Sequence, residues 1–184
     1  MKPIRPTIEA PPSTQNTWLV SACLLGRACR YYGQSKGQID VHRWLERRNK
    51  AGDTIVPICP EELGELGTPR PAAELRGGDG AAVWTGAARV QQVMSDADVT
   101  DAFKLGARRA LAHAPQADGA VLKARSPSCG VGQTHIDGAL QPGDGVFAAL
   151  LRGRGVALCT DETLFEQAWP NTNTDAPAAG QRDT

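Results

Sequence analysis

The sequence predicts an α/β fold: an open, mainly parallel sheet with helices on both faces, a Rossmann-like three-layer arrangement. Three observations carry this expectation. Strand-like and helix-like segments alternate through the middle of the chain. The strand-like segments are continuous apolar runs, not the period-two pattern of a sheet with one wet face. A length of 184 residues suits one well-buried core better than two.

The elements follow in order. WLVSA (18–22) is a short apolar run that ends at Cys23. DVHRWLERRNK (40–50) sets Val41, Trp44 and Leu45 at helical spacing behind an Asp N-cap, and its basic last turn precedes Gly52. TIVPI (54–58) is β-branched and apolar and ends at Cys59. AAVWTGAARVQQV (81–93) reads as a small hairpin or irregular excursion. SDADVTDAFKLGARRALAHA (95–114) is the strongest helix, with an apolar stripe of Val99, Phe103, Ala107, Ala110 and Leu111. ADGAVLKA (117–124) is a strand that runs into RSPSCG, GDGVFAALLRGRG (143–155) a helix bracketed by glycines. VALCT (156–160) is a strand and DETLFEQAW (161–169) a closing helix. Residues 1–16 and 170–184 read as disordered tails, which leaves 17–169 as a single domain.

Twenty basic residues balance 20 acidic ones, which argues against an electrostatic nucleic-acid surface. The first eighteen residues hold no apolar signal-peptide region, and no stretch approaches the roughly 20 apolar residues of a membrane span. A cytoplasmic protein without membrane attachment is the expectation.

The cysteines supply the first chemistry. Right-handed crossovers align the strand C-termini along one edge, where open α/β sheets bind ligands. Cys23, Cys59 and Cys129 each follow one of the first three core strands, so three thiols far apart in sequence converge on that rim. Cys159 lies within VALCT and reads as a buried small hydrophobe. Cys29 sits in the loop GRACRYYGQSKG, near the rim but without a strand end to fix it. Three converging thiols suit a zinc ion, a nucleophilic cysteine with a base, or an iron–sulfur cluster. Zinc sites usually draw ligands from a CxxC-like knuckle, and none is present. His42, His113 and His135 are not placed beside a strand-end cysteine. A cluster held by three thiolates would keep one iron open as a Lewis acid. The residues alone rank the cluster slightly above zinc.

Neighbouring side chains carry two readings each. Glu61 and Glu62 follow Cys59-Pro60; they either exchange protons beside a metal or sit in a first helical turn that favours acids. Ser126 and Ser128 either touch substrate or shape a turn. Arg30, Lys36, Lys123 and Arg125 lie near the rim and could stabilise thiolate or cluster charge.

VSACLLGRACRYYGQSK, PICPEELGELGTPRPAAEL and AVLKARSPSCGVG, followed by DG and GDGVFAALLRGRGVAL, resemble the signature blocks of the 2-thiouracil desulfidases. The resemblance runs over about residues 17–165 in the same block order. It implies a [4Fe–4S] cluster on Cys23, Cys59 and Cys129 with one open iron that takes the sulfur of a small thiocarbonyl substrate. It implies non-redox desulfuration of a compound such as 2-thiouracil to the oxo product and sulfide. Glu61, in preference to Glu62, and Ser126 are the implied proton-transfer residues, and Ser128 keeps the turn-forming role. One departure stands out: Arg30-Tyr31-Tyr32-Gly33 replaces the acid that often precedes this glycine in the family. The chain resembles the short, single-domain form. A non-catalytic metal or Fe–S module, or a sulfur-transfer enzyme for another thioamide, are the other classes open to this sequence.

Overall fold

The computed structural model describes residues 15–34 and 38–165. The chain begins with β1 (Thr17–Ser21), a 3₁₀ turn (Ala22–Leu25), α1 (Ile39–Lys50), β2 (Thr54–Ile58) and α2 (Pro60–Leu63). It continues through β3 (Ala73–Arg76), α3 (Gly80–Thr85), β4 (Arg89–Gln92) and α4 (Thr100–Ala112). The last elements are β5 (Gly119–Leu122), β6 (Gln133–Ile136), β7 (Ala139–Pro142), α5 (Val146–Arg152) and β8 (Ala157–Thr160).

The main sheet has four parallel strands in the order β2-β1-β5-β8. Its inner strands are apolar on both faces, as continuous apolar runs demand. Leu19, Ala120 and Leu122 share a core with Phe103 and Ala107 of α4 and with Phe147 and Leu151 of α5. Trp18, Val20 and Val121 belong to a second core with Val41 and Trp44 of α1. Each fully buried large side chain contributes about 1.5–3 kcal/mol. The expected three layers are therefore present, with α1 on one face and α4 and α5 on the other. The α1 face is locked by Trp18 and Trp44, packed edge to face with centroids 5.3 Å apart. Arg48 lies 4.8 Å above the Trp18 ring and 3.5 Å from Asp53, which also accepts a bond from Trp18 Nε1 at 2.8 Å.

A second four-stranded sheet, ordered β4-β3-β6-β7, was not foreseen. β3 and β4 are antiparallel, as are β6 and β7, and the two pairs meet in parallel at Leu75 and Ile136. Segment 81–93 is therefore neither a self-contained hairpin nor an irregular excursion. Asp79 caps α3 by accepting the Ala82 amide at 3.1 Å, and β4 then pairs back on β3.

Several boundaries also differ. Gln38, not Asp40, precedes α1, because Asp40 lies within its first turn. Residues 95–99 lie outside α4, where Asp98 bridges to Gln91 instead. The expected closing helix is absent over 161–165, which form turns around a Thr160–Thr163 hydroxyl pair, and 166–169 lie outside the described residues. The expected tails also lie outside them, except at Gln15 and Asn16. Asn16 is buried, with its amide on Asp53 and its carbonyl accepting the Thr54 amide, so the ordered chain begins before residue 17. Among the described residues no helix is long and apolar enough to cross a membrane.

Candidate metal centre

The carboxyl ends of β1, β2 and β5 open on a cleft of about 460 Å³. Cys23 enters it from the 3₁₀ turn after β1, Cys59 from the residue before α2, and Cys129 from the loop after β5. Glu61 and Ser126 line the same cleft, so the three strand-end cysteines meet the acid and the serine that the resemblance implies in one place, whereas Glu62 and Ser128 are not among its lining. Cys159 is not: it is buried in β8, and burial pushes its thiol up.

Cys29 belongs to the group far more closely than its loop position suggests. Its sulfur, the Cys59 sulfur and a Glu62 carboxylate oxygen lie within 4.8 Å of one another. Its thiol is pushed up to about 11, first by a hydrogen bond with Cys23 and then by burial, although its bond with Cys59 opposes the shift. Cys59 is pushed up further, chiefly by the bond with Cys29 and by burial. Cys129 rises to about 12 because burial outweighs the opposing influence of the nearby Ser21 and Ser128 hydroxyls. Crowded thiols of this kind resist ionising together unless a cation shares the space.

The Cys129 loop is built from backbone. Arg125 adopts a positive φ of 61°, a conformation that costs a non-glycine residue about 1–3 kcal/mol and turns the chain out of the sheet. Ser126 Oγ then accepts the amides of Ser128 and Cys129 at 3.2 and 3.1 Å. Ser126 thus forms the turn that was expected of Ser128. The amides of Gly145, Val146 and Phe147, at the start of α5, donate to the carbonyls of Gly130, Pro127 and Ser128 at 2.8–2.9 Å. Those amides have no partner inside a helix, so the loop and the helix start satisfy each other. The approach requires glycine at 145, since a Cβ there would lie 2.5 Å from the Ser128 carbonyl oxygen. This is the purpose of GDG, which the sequence showed only as a helix bracket.

Side chains hold the Cys59 loop. Pro60 opens α2, and Glu61 Oε2 accepts Arg70 Nε at 2.7 Å. Glu62 accepts the Thr68 hydroxyl at 2.9 Å, and Arg27 lies 2.9 Å from its other oxygen. Glu62 is therefore committed to the neighbouring loops. Behind them α4 presses on α2 so closely that a Cβ at Gly106 would fall 1.8 Å from the Pro60 carbonyl oxygen.

The basic rim is largely paired. Lys123 sits on the buried carboxylate of Asp161 at 2.9 Å, Arg125 pairs with Glu162, and Arg30 lies 4.5 Å over the Tyr32 ring. Lys36 lies outside the described residues. His135 of β6 lines the cleft, whereas His42 and His113 are exposed elsewhere and line no part of it.

The donor set fits a soft, cationic metal group. Sulfur is the ligand such groups select, and the raised thiols need positive charge beside them to ionise. Ser128 adds an independent sign. Its hydroxyl is buried with no hydrogen-bond partner, next to Cys129, whose thiolate it would stabilise. An orphaned buried donor is costly, by about 1–3 kcal/mol, and a Cys129 thiolate removes that penalty.

The profile of the 2-thiouracil desulfurase family matches residues 18–163. The YbbK protein of Bacillus subtilis (strain 168) is 36% identical over 151 residues, which cover 79% of this chain and 96% of that one. The solved structure of a [4Fe-4S]-dependent thiouracil desulfidase, TudS, superposes with a TM-score of 0.69 at 38% identity, covering 83% of this chain and 95% of the other. The matched span takes in all four cleft cysteines, both acidic residues of the Cys59 loop and the whole SPSCG turn, and the chain belongs to the 2-thiouracil desulfurase family.

Proposed function

We propose that the protein is a [4Fe–4S]-dependent thiouracil desulfidase, which converts a small thiocarbonyl compound such as 2-thiouracil and water to the oxo compound and hydrogen sulfide. The observation that carries this reading is the convergence of separate thiols on one cleft beside a carboxylate and a hydroxyl, in a chain of this family. Cys23, Cys59 and Cys129 hold the cluster. Bound there, a cluster with one iron free of protein ligands supplies a Lewis acid that polarises the carbon–sulfur bond.

The protein's own groups handle water and protons. Arg70 occupies Oε2 of Glu61, and Oε1 has no hydrogen bond among the described residues. That oxygen takes a proton from water as the water oxygen adds to the thiocarbonyl carbon. Ser126 lines the cleft with its oxygen held by two amides, and those bonds make its O–H a better donor. It steadies the substrate edge while Glu61 returns the proton to the departing sulfur. The adduct's hydroxyl gives up the second water proton as the C=O bond forms, so that carbon gains oxygen and sulfur leaves with both protons as hydrogen sulfide. No electrons are exchanged overall.

Anaerobic reconstitution with iron and sulfide tests the reading. The expected result is a broad visible absorption, and stoichiometric uracil and sulfide from added 2-thiouracil. Glu61→Gln should keep the absorption and lose about 10²–10⁴ in turnover. A colourless protein that binds only zinc would refute the proposal, and full activity in Glu61→Gln would remove Glu61 from it.

A further inference from the structure

Arg70 lies in the loop after α2, next to the cis Thr68–Pro69 peptide, and its side chain is only 5% exposed. Each guanidinium nitrogen is engaged. Nε donates to Glu61 Oε2 at 2.7 Å, Nη2 to the Cys29 carbonyl at 3.1 Å, and Nη1 to the Gly67 carbonyl and the Thr68 hydroxyl at 2.9 and 3.1 Å. Its backbone amide donates to the Tyr31 carbonyl at 2.8 Å. One residue therefore ties together the loop of Cys29 and Tyr31, the helix start that bears Glu61, and its own turn.

The partners are unlike those of an arginine that only neutralises a buried acid. One nitrogen faces the carboxylate and another faces a carbonyl of the thiol-bearing loop, and both segments line the cleft. A planar fork fixes two acceptors at a set separation, which a lysine ammonium on its flexible stem does not. We infer that Arg70 is the positioning residue of this site, setting the Glu61 carboxylate against the Cys29 loop so that the proton acceptor and the thiol cradle keep a fixed spacing. The inference rests on the desulfuration reading for its kinetic consequence, and on geometry alone for its structural one.

Misplacement of a reacting group by about 1 Å can cost about a hundredfold in rate. In the reconstituted holoenzyme, Arg70→Lys keeps the charge but loses the fork. Its kcat for 2-thiouracil should fall by about 10–100-fold, with KM within about threefold and iron content unchanged. Glu61→Gln/Arg70→Met removes both charges, so no lone buried ion strains the fold. It should turn over within about twofold of Glu61→Gln alone, because both changes act through one carboxylate. A wild-type kcat in Arg70→Lys, or losses that multiply in the double variant, overturns the inference.

The apo-protein gives a readout that needs no activity. With iodoacetamide under anaerobic conditions, Cys29 should alkylate at least about tenfold faster in Arg70→Lys and Arg70→Met than in wild type, as its loop is released. Slow labelling of Cys159 in the same samples reports that the fold is intact. Unchanged Cys29 labelling overturns the inference even for a variant that fails to load iron. Absence of sulfide release from wild-type holoenzyme refutes the functional reading instead, and the labelling then still decides the role of Arg70.

Discussion

The loops that follow β2 and β5 both display a cysteine to the same cleft, yet they are held by different kinds of bond. The Cys59 loop is fixed by side chains: Arg70 on Glu61, Thr68 and Arg27 on Glu62. The Cys129 loop is fixed by backbone, through two amides on Ser126 Oγ and three helix-start amides on loop carbonyls. Charged side chains thus hold one loop, and a mount made mainly of backbone amides and carbonyls holds the other. The first should respond to changes in charge that leave the second unmoved, and both should respond to added volume, by different amounts.

The largest effect is common to both loops. Replacing Cys23, Cys59 or Cys129 by alanine should bring bound iron to background after reconstitution, as measured by metal analysis and visible absorption, because a cubane left with two thiolates is poorly retained. Full iron in any one of these variants would show that Cys29 can take its place.

Added volume comes next and separates the loops. Gly145→Ala drives a methyl group into the Ser128 carbonyl, and Gly106→Ala drives one into the Pro60 carbonyl. Each should destabilise the apo-protein by about 1–3 kcal/mol or more, with the greater loss at Gly106, where the approach is closer. Thermal melting measures both. A smaller loss at Gly106 than at Gly145 would mean that α4 yields more readily than α5.

The third test is pH. The folded apo-protein holds Cys29 and Cys129 at about 11 and about 12, above their ordinary value of 9.0. A raised thiol stabilises the fold fully below the unfolded value, and that contribution is lost as pH rises through the folded values. Apo-protein melting should therefore decline from about pH 9 to about pH 12. Loaded protein, in which the proposed ligand Cys129 is already ionised, should keep only the part of this decline that Cys29 contributes. Identical pH profiles with and without iron would contradict ligation by Cys129.

The smallest effects distinguish the two serines. Ser126→Ala strips the acceptor from two amides and should cost about 1–2 kcal/mol in melting experiments, besides its effect on turnover. Ser128→Ala removes an unpartnered buried hydroxyl and should leave apo-protein stability unchanged or raised. A clear loss of stability in Ser128→Ala apo-protein would identify a partner for that hydroxyl and weaken its link to a Cys129 thiolate.

The legible part of the fold was the part that buries both faces. WLVSA and ADGAVLKA declare a doubly covered sheet within a few residues. The second sheet escaped notice because its strands are only four residues long, and Gln133–Ile136 turns one face to solvent. Its register depends on partners such as Leu75 and Ile136, distant in sequence. Cys23, Cys59 and Cys129 could be read because each follows a core strand. Cys29 could not be placed, because its carbonyl is tied down by an arginine 41 residues away. Arg70 gave only the weak signal of a cation between two prolines, Pro69 and Pro71. The turn rests on Ser126 and not on Ser128, the reverse of what the sequence suggests. Two serines around one proline look alike until the backbone shows which oxygen meets the amides.

The mount of the Cys129 loop also has a bearing on how the protein matures. Its carbonyls are satisfied only when the start of α5 is in place, and Cys23 lies in the turn after β1, a strand held between β2 and β5. The thiols therefore have no common address in a nascent chain until synthesis has passed Phe147. A cofactor offered earlier meets single, scattered cysteines. Assembly machinery would have to serve a finished receptacle, delivering its cargo through the open mouth of the cleft.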